Sequence, residues 1–231
     1  MKYSQAIITD NLAKVLERIA LSATRVGRSK DSVKLVAATK TQGLEEISAY
    51  QKACLELGIE CICGENYAQE LAVKAPQITN ISWHFIGGLQ RNKIELVLQH
   101  SSLIQSVGSE RVLIALNKAA QKIDRHVPVL LQVNISNDPN KNGFLPAEIL
   151  PELIAARSNI SVAGYMSVLQ YGLELGQVRA FYSELAKMQR VAGLQELSIG
   201  MSDDFDVAVE EGATIVRVGS AIFGARIFLN S

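Results

Sequence analysis

The sequence has no net charge, no apolar run of membrane length and no leading apolar segment, and each absence excludes a class of protein. Its 231 residues carry 23 Lys and Arg against 23 Asp and Glu, whereas a nucleic-acid-binding protein usually has a basic excess or a basic stripe. No apolar segment approaches the roughly 20 residues of a membrane span, and the polar N-terminus does not resemble a signal peptide. We therefore expect a cytoplasmic protein with no nucleic-acid partner and no membrane contact.

The sequence is also poor in the residues that cross-link small proteins or bind metals. It contains three cysteines and three histidines, and an odd number of cysteines argues against a disulfide framework. No histidine or second cysteine pair lies at zinc-site spacing. We expect no metal site, and we expect Cys54, Cys61 and Cys63 to be small buried apolar side chains.

The chain lacks low-complexity segments and linkers rich in proline or glycine, which favours one domain over residues 1–231. After a helix over Gln5–Arg25, short apolar segments alternate with longer amphipathic ones, including a helix predicted over 146–157. Eight strand–helix units predict an α/β fold, a single-domain (β/α)8 TIM barrel with an extra N-terminal helix. An open doubly wound sheet is the alternative if strand two or four is wrong. The predicted strands are 33–39, 60–63, 81–86, 103–107, 127–135, 160–166, 196–199 and 214–218.

The strand ends are the positions to search, because such a barrel forms its active site at the carboxyl ends of its strands. Most of these ends carry a polar residue. We take as candidates Lys40, Asn66, residues 84–87, Ser106, Asn134, Met166, Ser202, Arg217, Gly219 and Ser220.

Lys40 is the sharpest of these candidates because it ends an otherwise apolar strand. On position alone, a lysine at a strand end is usually a solvated terminus. At the mouth of a barrel, partial desolvation lowers a lysine pKa, and the free amine can attack a carbonyl to form a Schiff base. The position therefore makes Lys40 a candidate for covalent binding, with a solvated strand terminus as the alternative.

The loops after strands seven and eight contain small residues that suit a phosphate. Residues 200–202 read Gly-Met-Ser before a helix, and residues 219–221 read Gly-Ser-Ala. These two loops form the usual phosphate site of this fold. The alternative is that Ser202 caps its own helix and Gly219 makes a turn. The adjacent carboxylates at 203–204 suit the helix dipole but would repel a phosphate that they faced.

Lys40, a phosphate loop and Arg217 together suggest a phosphorylated aldehyde held as a Schiff base, and pyridoxal 5'-phosphate (PLP) fits that description. A cation at the pyridine nitrogen would disfavour protonation of the ring and weaken the cofactor as an electron sink. The alternative for Arg217 is a salt bridge with Glu210 or Glu211.

Nearly the whole chain resembles the pyridoxal phosphate homeostasis proteins, single-domain barrels related to the N-terminal domain of bacterial alanine racemase. The sequence departs from their pattern at Thr39, where Ser is common, at Gly88, where Pro or His is more usual, and over 167–172. The matching segments, in order, are LVAATKT at 35–41, GENYAQE at 64–70, WHFIGGLQRNK at 83–93, QVNIS at 132–136, KNG at 141–143, GYM at 164–166, LSIGMSDD at 197–204 and VRVGSAIFG at 216–224.

The resemblance implies a PLP site with no catalytic residue and no metal, in which Lys40 holds the cofactor as a Schiff base. His84 is expected to be a core histidine bonded to a neighbour. The other residues implied are Ser202, Gly219 and Ser220 at the phosphate, Asn66 and Met166 around the ring, and Arg217 near the pyridine nitrogen or the phosphate.

The resemblance also implies a role in PLP homeostasis without robust catalysis. Family members are thought to buffer the cofactor, to deliver it and to affect the balance of amino acids and keto acids. We accordingly expect a monomer whose partners are PLP and PLP-dependent apoenzymes.

Two enzymes are the alternatives. A PLP-dependent amino-acid racemase needs a second acid/base group, which in alanine racemase is a tyrosine of a C-terminal β-domain. We expect no such domain before Ser231, so Tyr67, Tyr165 or Tyr171 would have to replace that tyrosine. A cofactor-free Schiff-base lyase or isomerase would instead need an acid/base group beside Lys40.

Overall fold

The computed structural model describes residues 4–155 and 157–224, in which strands and helices alternate. The strands are β1 Lys34–Ala38, β2 Ile62–Glu65, β3 Ser82–Phe85, β4 Leu103–Val107, β5 Val127–Gln132, β6 Ile160–Met166, β7 Glu196–Ser198 and β8 Ile215–Val218. The helices are α1 Gln5–Arg25, α2 Leu44–Leu57, α3 Ala68–Lys74, α4 Ile94–His100, α5 Glu110–Lys122, α6 Pro151–Ile154, α7 Leu175–Val191, α8 Phe205–Glu210 and α9 Ser220–Phe223.

The strands form one closed parallel barrel in chain order, and β8 pairs with β1. This confirms the predicted (β/α)8 barrel with a preceding helix and shows that the alternative of an open sheet is wrong. Because every strand runs the same way, all eight carboxyl ends meet at one mouth. The register sets Val36 beside Arg217 and Ala37 beside Val218, so the ends of β1 and β8 are neighbours. The predicted domain limits, residues 1 and 231, lie outside the described residues.

Several predicted elements have bounds that differ from those observed. Strand β5 ends at Gln132 instead of residue 135, because Phe144 of the following loop bonds to Gln132 and Asn134 at this point. Strand β2 begins and ends two residues later than predicted, because the Glu65 carboxylate is buried and bonded to Lys74 of α3. The helix predicted over 146–157 is reduced to a 3-10 turn at Pro146–Glu148 and to the single turn of α6. Proline begins a helical turn readily but cannot continue one, and both turns begin at a proline.

Helix α1 is the extra element that completes the outer layer. Its buried stripe, which includes Ile8, Leu12, Val15 and Ile19, repeats at helical spacing. It packs against α2, α8 and α9. Because α9 after β8 has only four residues, α1 covers the side of the barrel that the last strand–helix unit leaves open.

The barrel has two apolar layers. The larger lies between the strands and the helices. The smaller fills the inside of the barrel and consists of Val36, Ile62, Leu103, Leu130, Met166 and Ile215.

The cysteines lie together near β2. Cys54 and Cys63 are buried, Cys61 is half-buried, and all three are free thiols. A hydrogen bond with Cys61 and, to a smaller extent, burial raise the pKa of the Cys54 thiol, so this thiol stays protonated. In the described part of the chain, no helix is both long enough and apolar enough to cross a bilayer.

The close contact of β6 with β7 generates a stability prediction. A Cβ on Gly164 would lie 1.8 Å from the backbone oxygen of Glu196, so we expect Gly164→Ala to lower the free energy of unfolding by about 3 kcal/mol or more. Gly176→Ala is the matched control, since its Cβ meets nothing within 4 Å and it lies in α7; it should be neutral or stabilising. Urea unfolding measures both, and equal stability of the two variants would contradict the packing described.

Candidate binding site at the carboxyl ends of the strands

Lys40 follows β1 at the mouth of the barrel and is half-buried. Thr39 continues the sheet beyond β1, because its N–H donates to the Gly64 carbonyl at 2.9 Å. Val36 belongs to the inner apolar layer, and alternation along an extended chain directs residues 38 and 40 to the same side. The Lys40 side chain therefore leaves the main chain on the inner side of the barrel, at its mouth.

Arg217 lies inside the barrel and is held by β6 and β7. One guanidinium nitrogen donates to the Ser198 carbonyl at 2.8 Å and to the Ser198 hydroxyl at 2.7 Å, and the other donates to the Ser167 carbonyl at 2.8 Å. Burial lowers the pKa of Arg217 from its usual value. An arginine with these bonds still carries its charge at neutral pH.

The alternative salt bridge of Arg217 with Glu210 or Glu211 is wrong. Glu210 pairs with Arg25 at 3.3 Å and with Arg179 at 2.6 Å. Glu211 pairs with Arg179 at 2.5 Å. These carboxylates lie on the outer surface, whereas Arg217 points inward.

A chain of hydrogen bonds extends from Arg217 across the barrel to β3. The Ser198 hydroxyl donates to Gln105 Oε1 at 2.6 Å, and Gln105 Nε2 lies 2.9 Å from His84 Nδ1. His84 is thus the core histidine that was expected. Burial, then the charge of Lys34, lowers the pKa of His84 to about 4, against a smaller opposite effect of Glu196. The neutral ring accepts the amide N–H, so the chain has a single direction.

The chain also identifies two residues that the search of strand ends missed. Gln105 and Ser198 are fully buried. Gln105 stands inside β4, and Ser198 is the last residue of β7 but lies within the longer strand predicted over 196–199. The signal in the sequence was a polar residue on the inward-facing side of β4 and of β7.

Ser202 joins the loops after β7 and β8. Its hydroxyl accepts hydrogen bonds from the N–H groups of Gly219, at 3.2 Å, and of Ala221, at 3.4 Å. The alternative that Ser202 caps its own helix is wrong, because the N-cap of α8 is Asp204. Gly219 is the N-cap of α9, and Ser220, the first residue of α9, is exposed. The backbone N–H groups of the β8 loop therefore converge on the Ser202 hydroxyl.

The Asp204 carboxylate is held away from this point. It accepts from Tyr182 Oη at 2.7 Å and from the Met201 N–H at 2.6 Å. Gly200 allows the tight turn at this point, since it has φ +89° and a Cβ would lie 2.6 Å from that of Ala208. The expected repulsion of a phosphate is weakened, because one of the two carboxylates is already bonded.

Asn66 is held at the mouth by the end of β3. A Cβ on Gly87 would lie 1.9 Å from the Asn66 backbone oxygen, so only glycine lets these segments meet. Asn66 borders a cleft of about 270 Å³ that Tyr67 and Lys93 also line. Its Oδ1 is buried without a hydrogen-bond partner in residues 4–155 and 157–224. An orphan acceptor of this kind is consistent with a ligand that donates to it.

Met166 and the loop after it form another part of the mouth. Met166 ends β6 and is buried in the inner apolar layer. In the following loop, Gln170 Oε1 is a second buried acceptor without a partner among the described residues. Residues 167–172, where the sequence departs from the family pattern, therefore contribute an unpaired polar group.

The two remaining candidates support the loops themselves. The Ser106 hydroxyl donates to the Gly87 carbonyl, and the Asn134 side chain is bonded to residues 138 and 141 of its own loop. A larger apolar groove of about 530 Å³, lined by residues that include Tyr165 and Met188, lies outside the barrel and is not part of this mouth.

Known protein sequences resemble this chain over nearly its whole length. Residues 11–227 match the model of the alanine racemase N-terminal domain family. The chain is 33% identical over 233 residues to the pyridoxal phosphate homeostasis protein of Vibrio cholerae, a match that covers 95% of this chain and 96% of that protein.

Comparison with solved structures extends this result to the fold. PipY of Synechococcus elongatus, solved with PLP bound, aligns with a TM-score of 0.80 at 28% identity over 94% of this chain and 100% of PipY. An alanine racemase of Clostridium difficile aligns with a TM-score of 0.68 at 14% identity over 96% of this chain and 58% of the racemase. At that identity the racemase shares the fold alone.

The buried His84 ring generates a pH prediction. Its folded pKa of about 4 lies below the value of roughly 6.5 in an unfolded chain. The unfolded state therefore binds the extra proton first, and the stability that neutral His84 contributes is lost as pH falls from about 6.5 toward 4. Between pH 7 and 4.5, we expect the free energy of unfolding to fall by roughly 2–3 kcal/mol more in the wild type than in His84→Gln. Urea unfolding at a series of pH values measures both proteins. The same pH dependence of the free energy of unfolding in the wild type and in His84→Gln would contradict the prediction.

Proposed function

The chain belongs to the alanine racemase N-terminal domain family. We propose that it binds PLP and serves in PLP homeostasis, the role that the names of its relatives give them, and that it does so by buffering and delivering the cofactor. The observation that carries the proposal is the position of Lys40 at the end of β1, beside the end of β8 with its converging N–H groups. An amine for an aldehyde and a loop for a phosphate thus lie at one mouth.

In this proposal, the Lys40 Nζ attacks the aldehyde carbon of PLP and the carbonyl oxygen leaves as water. The resulting C=N bond is reversible, because water can add again and return both the lysine and the aldehyde. Covalent holding and release therefore need no further reactant.

Asn66 and Met166 would hold the ring. The orphan Oδ1 of Asn66 can accept a hydrogen bond from a ring substituent, and Met166 contributes to an apolar floor. One unpaired acceptor above an apolar layer fits a planar aromatic ring with few polar atoms.

Ser202, Gly219 and Ser220 would hold the phosphate. The hydroxyl of Ser202 already accepts from two N–H groups of the β8 loop, and a phosphate oxygen can accept the same kind of bond. Ser220 is exposed and adds a hydroxyl at the same loop. The direct contact of Ser202 with Gly219 is what supports this assignment most.

Arg217 would favour holding the cofactor over catalysis. When PLP is bound, it can act as an electron sink through its pyridine ring, and a cation at the ring nitrogen disfavours ring protonation. Arg217 is buried and bonded on the inner side of the mouth, which suits such a contact. The racemase alternative gains no support from Tyr165, which is buried along the outer groove.

The proposal includes a cytoplasmic monomer that gives PLP to PLP-dependent apoenzymes. The first experiment is a visible absorption spectrum of the purified protein with added PLP, before and after borohydride, followed by peptide mass mapping. A reduced pyridoxyl adduct on Lys40 is the expected result. A protein that takes up no PLP would overturn the proposal and favour the cofactor-free enzyme.

Lys40→Ala should abolish the covalent adduct and leave the fold intact. Only the Nζ amine forms the bond, and the half-buried side chain adds little to the core. Borohydride trapping and thermal unfolding, run together, check both parts. An adduct on another lysine at wild-type yield would contradict the assignment.

Gly219→Ala should weaken retention of PLP by about tenfold, because the loop N–H groups become harder to approach. The change is tolerated by the fold, since the new Cβ would meet Ala38 Cβ at an ordinary 3.4 Å. Affinity for pyridoxal, which lacks the phosphate, should not change, and Gly176→Ala is the control. An equal loss for both ligands would count against a phosphate role for this loop.

A further inference from the structure

A buried cluster of charges lies outside the barrel, between α3 and the ends of β1 and β2. The Lys74 Nζ lies 2.8 Å from Glu65 Oε1 and 2.5 Å from Glu70 Oε2. The Glu65 carboxylate is inaccessible to solvent, and the side chains of Lys74 and Glu70 are 9% and 31% exposed. None of its three residues is a candidate at a predicted strand end, so the pattern of strand ends does not indicate this cluster.

The cluster bonds the main chain on both sides of Lys40. Lys74 donates to the carbonyl of Thr39 at 3.0 Å, and the N–H of Thr41 donates to Glu70 Oε2 at 3.0 Å. The Thr39 hydroxyl also donates to Glu65 Oε1 at 2.7 Å. Both peptide groups that flank Lys40 are therefore fixed by one set of charges.

The main chain at this point needs such support. Thr41 has φ +66°, a left-handed conformation that a β-branched residue rarely adopts. Residues in sparsely populated conformations persist only where the surroundings impose them, and they concentrate at functional sites. The bond from the Thr41 N–H to Glu70 supports this conformation, together with the turn bond from the Gln42 N–H to the Thr39 carbonyl at 3.0 Å.

The stability of the fold does not by itself explain the cluster. Desolvation offsets much of the attraction within a buried ion pair, and burial raises the pKa of Glu65 against the effect of Lys74. Glu65 Oε2 is also buried without a partner among the described residues. The cluster is better explained by the precise position that it imposes on the neighbouring chain.

We propose that Glu65, Glu70 and Lys74 are positioning residues for Lys40. They hold its backbone so that the Nζ amine meets the aldehyde carbon of a ligand whose phosphate is bound by the β8 loop. The inference rests on the proposed function and adds to it the residues that favour the covalent step. Because the cluster lies outside the barrel, it acts on bond formation and leaves non-covalent binding unchanged.

The test compares two ligands in the full chain with Glu70→Ala, which removes the acceptor of the Thr41 N–H at a partly exposed position. PLP can form the C=N bond, and pyridoxine 5'-phosphate, with an alcohol in place of the aldehyde, cannot. We expect the equilibrium constant for the lysine adduct to fall by about tenfold or more and the affinity for pyridoxine 5'-phosphate to stay unchanged. In the ligand-free protein, hydrogen exchange of the Thr41 amide, followed by NMR, should accelerate by a similar factor.

A matched control and a second variant complete the test. Glu95→Ala removes another glutamate that pairs with a lysine, Lys122 at 3.4 Å, on an exposed surface, and it should match the wild type. The double variant Glu65→Gln/Lys74→Met removes both charges of the buried pair at once and leaves only the partly exposed Glu70 without its cation. It should reproduce the Glu70→Ala effect.

Three outcomes would overturn the inference. Wild-type adduct formation in Glu70→Ala would show that Lys40 needs no such support. An equal loss of PLP and pyridoxine 5'-phosphate would show a merely structural role. A wild-type protein without any lysine adduct would instead overturn the proposed function, and the inference with it.

Discussion

The site depends on one constraint, which is that a guanidinium inside a barrel needs hydrogen-bond acceptors. An ionised group without such partners is strongly unfavourable in an apolar interior. Arg217 meets the requirement through carbonyls at the ends of β6 and β7 and through the Ser198 hydroxyl. That hydroxyl must then donate to Gln105, and Gln105 must find His84. One buried charge therefore determines the polar residues on three other strands.

A second set of polar contacts fixes the end of β1 from outside the barrel. Thr41 has a conformation that its own sequence disfavours, and a cluster with little net benefit to stability is buried beside it. The two features explain each other if the position of Lys40 is what the structure maintains. Inside the barrel, hydrogen bonds fix the Arg217 guanidinium. Outside it, the charged cluster fixes the main chain on both sides of Lys40. The lysine lies between the two.

The architecture and the position of Lys40 at the mouth of the barrel could be predicted from the sequence, because strand–helix alternation and a charged residue after an apolar strand are local patterns. What could not be predicted depends on tertiary pairing. Glu65 resembled a residue beyond its strand, since its partner Lys74 lies on another element. A Glu–Lys pair four residues apart, such as Glu70 and Lys74, usually marks a solvated helix face. Glu210 and Glu211, close in sequence, suggested a surface salt bridge for Arg217. Only the closed barrel shows that the Arg217 side chain points inward.

Release requires access as well as a bond that can be reversed. Lys40 and Asn66 are half-buried and Ser220 is exposed, so water can approach the covalent link that we propose. An enzyme that uses PLP excludes water to protect its reactive intermediates. A carrier needs the opposite, because hydrolysis is its only route to free cofactor. A firmly positioned lysine in an accessible mouth combines ready bond formation with ready reversal, and that combination favours buffering and delivery over catalysis.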